Sequence, residues 1–281
     1  MRESMRKMLG TRRAVIGFAF VLLFLWQAVA FAAAPEISAD AAIVVDRGTG
    51  AVLYEKNADK QEYPASMTKI MTCLLAIESG RPDRVIEVSP EAADVESTRM
   101  RAGDQVRLTD LLTQMMLISD NGAATAIGEA LADGDIHYFA ELMNRRAESL
   151  GMTSTHFVNA NGMPDADHYT TARDYARLAT VAFANEKFRA IVGTQAKNIY
   201  YIRPAGRVEY CVNTNELLTS YPGCVGGKTG WTNAARGCLT VAADRDGHEL
   251  IAIVFHSNDD ETRFQEAAAL LDYGFSQEEN S

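Results

Sequence analysis

Three short segments carry residue types whose spacing could perform acyl transfer. Ser66-Met-Thr-Lys69 sets a hydroxyl and an amine three positions apart, which on a helix is one turn along one face. Serine attacks only when a base takes its proton, and a lysine is a base only when neutral. Lys69 therefore needs burial or a nearby cation to lower its pKa. Ser119-Asp-Asn121 adds a second hydroxyl and an amide: Ser119 to relay a proton to or from a leaving group, Asn121 to orient Lys69 and a substrate amide. Lys228-Thr-Gly230 adds a second ammonium. That cation would either lower the pKa of Lys69 or pair with a substrate carboxylate, to which Thr229 offers its hydroxyl. Gly230 would let a substrate backbone approach a strand closely.

Each segment alone has a plainer reading. A serine three before a lysine is ordinarily a helix cap beside a solvated side chain. Ser-Asp-Asn ahead of a helix is ordinarily an N-cap, the role expected of Asp120, and Lys-Thr-Gly fits any turn. Their conjunction in one chain carries the argument.

The elements that must position them follow from periodicity. Residues 42–46 and 51–55 read as strands around the turn Arg47-Gly-Thr-Gly50. A helix is expected over 66–78, with Ile70, Leu74 and Ile77 at helical spacing and Gly80 as its stop. Further helices are expected over 109–116, 121–132, 136–150 and 171–184. The last third changes character: strands at 224–231, 237–243 and 249–255, then a helix over 262–273. Both ends of the chain can thus share one antiparallel sheet. The expected class is α/β: an antiparallel sheet flanked by helices, a helical subdomain, and an active-site cleft between the two.

The N-terminus is set aside from this reading. Arg2, Arg6, Lys7, Arg12 and Arg13 precede an uncharged stretch over 14–34, and Ala30-Phe31-Ala32 suits signal peptidase. Residues 1–32 are expected to be a signal peptide cut after Ala32, the alternative being a retained membrane anchor. Residues 33–281 then form one exported domain, with no second C-terminal domain expected. Net charge is −10, and removing a basic leader makes the remainder more acidic still. That balance argues against nucleic acid as a partner. The four cysteines and five histidines lack metal-ligand spacing, so no metal and no cofactor is expected. Cys73 fits a core position, and Cys211–Cys224 is one candidate disulfide.

Together the three motifs resemble those of the serine penicillin-recognising enzymes. Tyr63-Pro-Ala-Ser-Met-Thr-Lys69, Leu150-Gly-Met-x4-His156-Phe-Val-Asn159, His168-Tyr-Thr-Thr171, Asn213-Thr-Asn-Glu-Leu-Leu218 and Lys228-Thr-Gly-Trp-Thr232 are similar to the low-molecular-mass D-alanyl-D-alanine carboxypeptidases. The likeness runs over about residues 38–275. It implies a β-lactamase/transpeptidase-like fold and an acyl-enzyme on Ser66, formed from peptidoglycan stem peptides ending in D-Ala-D-Ala and blocked by β-lactams. It also implies an oxyanion hole made by the backbone N–H groups of Ser66 and Trp231, and a carboxylate-binding role for Arg263. Asp120, where the family often has a small residue, and Val225, where many members carry an acid, depart from the pattern. A class A-like β-lactamase would need a Glu-x-x-Leu-Asn segment, and Glu141-Leu-Met-Asn144 has the wrong spacing. Cross-link endopeptidase and a non-catalytic penicillin-sensing or peptidoglycan-binding module are the remaining alternatives.

Overall fold

A computed structural model describes residues 33–278. The expected leader and its cleavage point lie outside the described residues. Among those residues no helix is long and apolar enough to cross a membrane.

Five strands form the main sheet: β1 (Ala41–Asp46), β2 (Val52–Lys56), β7 (Cys224–Thr232), β8 (Arg236–Arg245) and β9 (His248–Ser257), in the order β2-β1-β9-β8-β7. Pairing of β1 with β9, from Ala41 opposite Phe255 to Asp46 opposite Leu250, joins the two ends of the chain. Two antiparallel ribbons lie outside it, β3 (Val85–Glu87) with β4 (Gln105–Arg107), and β5 (Ala196–Tyr200) with β6 (Val208–Val212).

The helices are α1 (Lys69–Glu78), α2 (Pro90–Ala93), α3 (Leu108–Leu117), α4 (Asn121–Leu131), α5 (Ile136–Ser149), α6 (Ala172–Ala184), α7 (Glu186–Val192), α8 (Leu217–Ser220) and α9 (Thr262–Glu278). Strand alternation sorts the core into two layers. Ile43, Val45, Ile251, Ile253 and Phe255 pack with the helical subdomain, whereas Val44, Leu239, Val241, Leu250 and Val254 pack under α9. An antiparallel sheet often leaves one face wet. Here both faces are covered, so β8 and β9 read as nearly unbroken apolar runs.

The expected α/β architecture is the observed one, with three local differences. The helix expected at 66–78 becomes a 3-10 turn, Ala65–Thr68, followed by α1. The last helix runs on to Glu278. Gly274 ordinarily weakens a helix, but a Cβ there would come within 2.8 Å of Leu250 Cδ1 and 3.0 Å of Val44 Cγ1, so close packing holds it mid-helix. The β5–β6 ribbon and the short helices α2, α7 and α8 lie where no such element is expected. All four cysteines are free thiols, Cys211 and Cys224 included, and Cys73 is a buried core residue.

Candidate active site

The three motifs converge on one cleft of about 590 Å³ between the β7 edge and the helical subdomain. The segment before Ser66 is tied down by paired backbone bonds between Glu62 and Thr170, 2.8 and 2.9 Å. Ala65 then takes a left-handed φ of 47°, a conformation a non-glycine residue holds only when its surroundings enforce it. The 3-10 turn brings Ser66 to the cleft wall and drops Lys69 into the interior at the start of α1.

Lys69 is fully buried. Its Nζ lies 2.8 Å from Ser66 Oγ, 2.7 Å from Asn121 Oδ1 and 2.6 Å from the carbonyl oxygen of Asn161. A charged ammonium donates to all three. A neutral amine donates to Asn121 and Asn161 and keeps its lone pair for the Ser66 hydroxyl. Burial pushes the Lys69 pKa down to about 7, opposed by the charge of Asp120. The amine needed by a general base is therefore accessible near neutrality.

Burial is the larger cause of the Lys69 lowering, and the mutual repulsion of the Lys69 and Lys228 charges acts in the same direction. Lys228 is itself held well below the ordinary lysine value by burial first, then by Lys69 and Arg263. Its Nζ donates to Ser119 Oγ at 3.1 Å and to the Thr229 carbonyl at 2.8 Å. Register explains the approach. Lys228 lies opposite Thr240, and Gly230 opposite Cys238, both on the face of β8 turned to the helical subdomain. Gly230 also has a second cause: a Cβ there would sit 3.1 Å from the Pro64 carbonyl and 3.2 Å from Ala65 Cβ. Strand β7 must pack against the turn that carries the nucleophile.

Ser119 ends the loop after α3 with φ of 61°. Asp120 caps α4, accepting from Ala123 N at 3.0 Å, as expected of it. It also accepts from Thr98 Oγ1, Arg99 N and Gln114 Nε2 at 2.7, 3.0 and 2.9 Å. Gln114 Oε1 accepts from the Tyr201 hydroxyl at 3.0 Å. This buried polar network fixes the Ser119–Asn121 corner.

Thr229, Gly230, Trp231 and Arg263 all line the cleft. Arg263 is buried, donating to the Gly230 carbonyl at 2.9 Å and pairing with the exposed Asp260 at 2.8 Å. Its buried Nε has no hydrogen-bond partner among the described residues. Thr214 holds the Thr229 hydroxyl at 2.7 Å. Asn161, Gly162 and Asp260 were not singled out from sequence, and Thr214 stood only within the Asn213–Leu218 resemblance. The Asn161-Gly162 turn signal was available, but a backbone carbonyl as a lysine partner leaves no residue-type signature. His168 is buried with Nδ1 accepting from Val158 N, so Nε2–H faces Thr68 Oγ1 at 2.8 Å. Burial lowers its pKa to about 4. His256 comes near Asp40 and Glu62, a grouping that sequence spacing did not show. There the Lys60 ammonium lies 2.9 Å from Asp40 and 2.7 Å from Glu62.

Residues 28–259 match the D-alanyl-D-alanine carboxypeptidase family. The chain belongs to that family. It is 33% identical to the D-alanyl-D-alanine carboxypeptidase DacF of Bacillus subtilis across 86% of this chain and 63% of that one. It is 29% identical to the D-alanyl-D-alanine endopeptidase of Escherichia coli, covering 85% and 78% of the two. The crystal structure of the Streptomyces K15 DD-transpeptidase superposes with a TM-score of 0.83 at 31% identity, over 87% of this chain and 100% of that one. The carboxypeptidase family thus accounts for the sheet, the helical subdomain and the three motifs together. Glu141-Leu-Met-Asn144 lies inside α5, and Glu141 there is an exposed partner of Arg145.

Proposed function

We propose that the protein is exported and removes the terminal D-alanine from peptidoglycan stem peptides through an acyl-enzyme on Ser66. The observation that carries this is the buried Lys69 amine, held between Asn121 and Asn161 and 2.8 Å from Ser66 Oγ. Neutral Lys69 takes the Ser66 proton as Oγ attacks the carbonyl carbon of the penultimate D-alanine. The backbone N–H groups of Ser66 and Trp231 receive the oxyanion. The proton held by Lys69 passes through Ser119, bonded to Lys228, to the departing D-alanine nitrogen as the C–N bond breaks, leaving Lys69 neutral and the Ser119 hydroxyl intact. Water then attacks the ester, its proton returning by way of Lys69, and Ser66 leaves with its hydroxyl restored.

Arg263, Thr229 and Lys228 surround the place for the terminal carboxylate. Asp260 competes for Arg263 there. Exposed ion pairs are worth about 0.2–1 kcal/mol. Asp260→Asn is accordingly expected to lower KM about two- to fivefold with kcat unchanged, read from D-alanine release against substrate concentration. An unchanged or raised KM would remove Arg263 from the carboxylate site.

β-Lactams present the same carbonyl and carboxylate, and among the described residues no Glu-x-x-Leu-Asn segment accompanies Ser66. Benzylpenicillin is therefore expected to leave one long-lived penicilloyl group on the Ser66 peptide, seen by mass spectrometry after digestion and missing in Ser66→Ala. A label on another residue, or rapid loss of the label, would contradict this reading.

A further inference from the structure

A second pocket lies behind the catalytic elements, distinct from the cleft, and occupies about 520 Å³. The pocket opens to solvent beside Thr109 and Ala190, and sites for small molecules span about 300–1,000 Å³ and are mostly apolar with a few placed polar groups. This pocket has that make-up. Ile77 from the end of α1, Leu108 and Leu112 from α3, and Ile191 from α7 form its wall. Lys187 of α7 and Lys197 of β5 bring two ammonium groups to the same space. Lys197 is bonded to Asp110 at 3.0 Å, and the Lys187 ammonium has no partner among the described residues. With Lys197 paired to Asp110, the Lys187 ammonium is the uncompensated charge beside the apolar wall, and it favours an anionic head joined to a hydrocarbon.

We propose that this pocket binds a single-chain anionic lipid, its tail along Ile77, Leu108, Leu112 and Ile191 and its carboxylate or phosphate at Lys187 and Lys197. The proposal does not depend on the reaction assigned to Ser66. Isothermal titration of the full chain with decanoate, kept below its micelle concentration, tests it alongside the cationic analogue decyltrimethylammonium. The expected result is saturable one-to-one binding of decanoate, at least about fivefold tighter than the cation and weakened about fivefold or more by Lys187→Glu. Ala190→Trp, which fills the pocket from an exposed lining position, is expected to abolish it. Thr109→Trp fills it from the opposite wall, and unchanged far-UV circular dichroism certifies that each variant is folded. Absence of saturable binding to the wild type, equal affinity for the cation, or full affinity in both folded tryptophan variants would overturn the proposal.

Discussion

Replacing Lys69 by methionine is expected to slow acylation of Ser66 by about 10²–10⁴-fold, the range general-base catalysis supplies. The diagnostic variant is Lys69→Arg. It keeps the positive charge, but a guanidinium does not deprotonate in proteins, so it is expected to be as slow as methionine. Wild-type acylation should also show an acid limb. The folded lysine titrates at about 7. Below that value it is protonated and cannot accept the Ser66 proton, so the rate falls tenfold per pH unit; above it the rate levels off. His168 does not supply this limb, since burial keeps its pKa near 4. Stopped-flow acylation by a chromogenic β-lactam across pH checks both points. An active, pH-independent Lys69→Arg enzyme would show that Lys69 acts as a fixed charge.

Gly162→Ala is expected to be nearly as damaging, although the residue does no chemistry. Gly162 adopts φ of 88°, and an added Cβ would lie 1.8 Å from the Ala65 carbonyl oxygen and 2.4 Å from its carbon. Left-handed backbone costs an alanine about 1–2 kcal/mol, and overpacking typically costs about 1–3 kcal/mol more. The turn holding Ser66 must move to relieve the contact. Misplacement by about 1 Å can cost on the order of 10²-fold in rate. The Asn161 carbonyl, one residue earlier, shifts away from Lys69 in the same movement. Chemical denaturation and the acylation rate should therefore both fall, whereas a wild-type rate would mean that the nucleophile turn tolerates displacement.

Much of this site was legible because its side chains are named by type. Ser66, Lys69, Ser119, Asn121 and Lys228 were marked by the conjunction of three motifs and their family resemblance, and the strand pattern at both ends of the chain foretold one antiparallel sheet. Less visible were contributions made by backbone or by distant ribbons. The Asn161 carbonyl, the close approach of Gly162 to Ala65, and the Tyr201–Gln114–Asp120 chain depend on tertiary placement. The β5–β6 ribbon, whose first strand Tyr201 immediately follows, has mostly exposed residues, Ile199 and Cys211 being its buried ones, so its hydrophobic alternation is faint. The cause of the lowered Lys69 pKa also required the structure. Spacing allowed either burial or the Lys228 cation, and the structure supplies both: Lys69 is fully buried, and its charge and that of Lys228 repel.

The most direct test is D-alanine release from a synthetic stem peptide ending in D-Ala-D-Ala, followed for the purified protein beside Ser66→Ala. The account predicts one D-alanine per peptide from the wild type and none from the variant. A folded wild-type protein that releases no D-alanine, or a Ser66→Ala protein that still does, would contradict it.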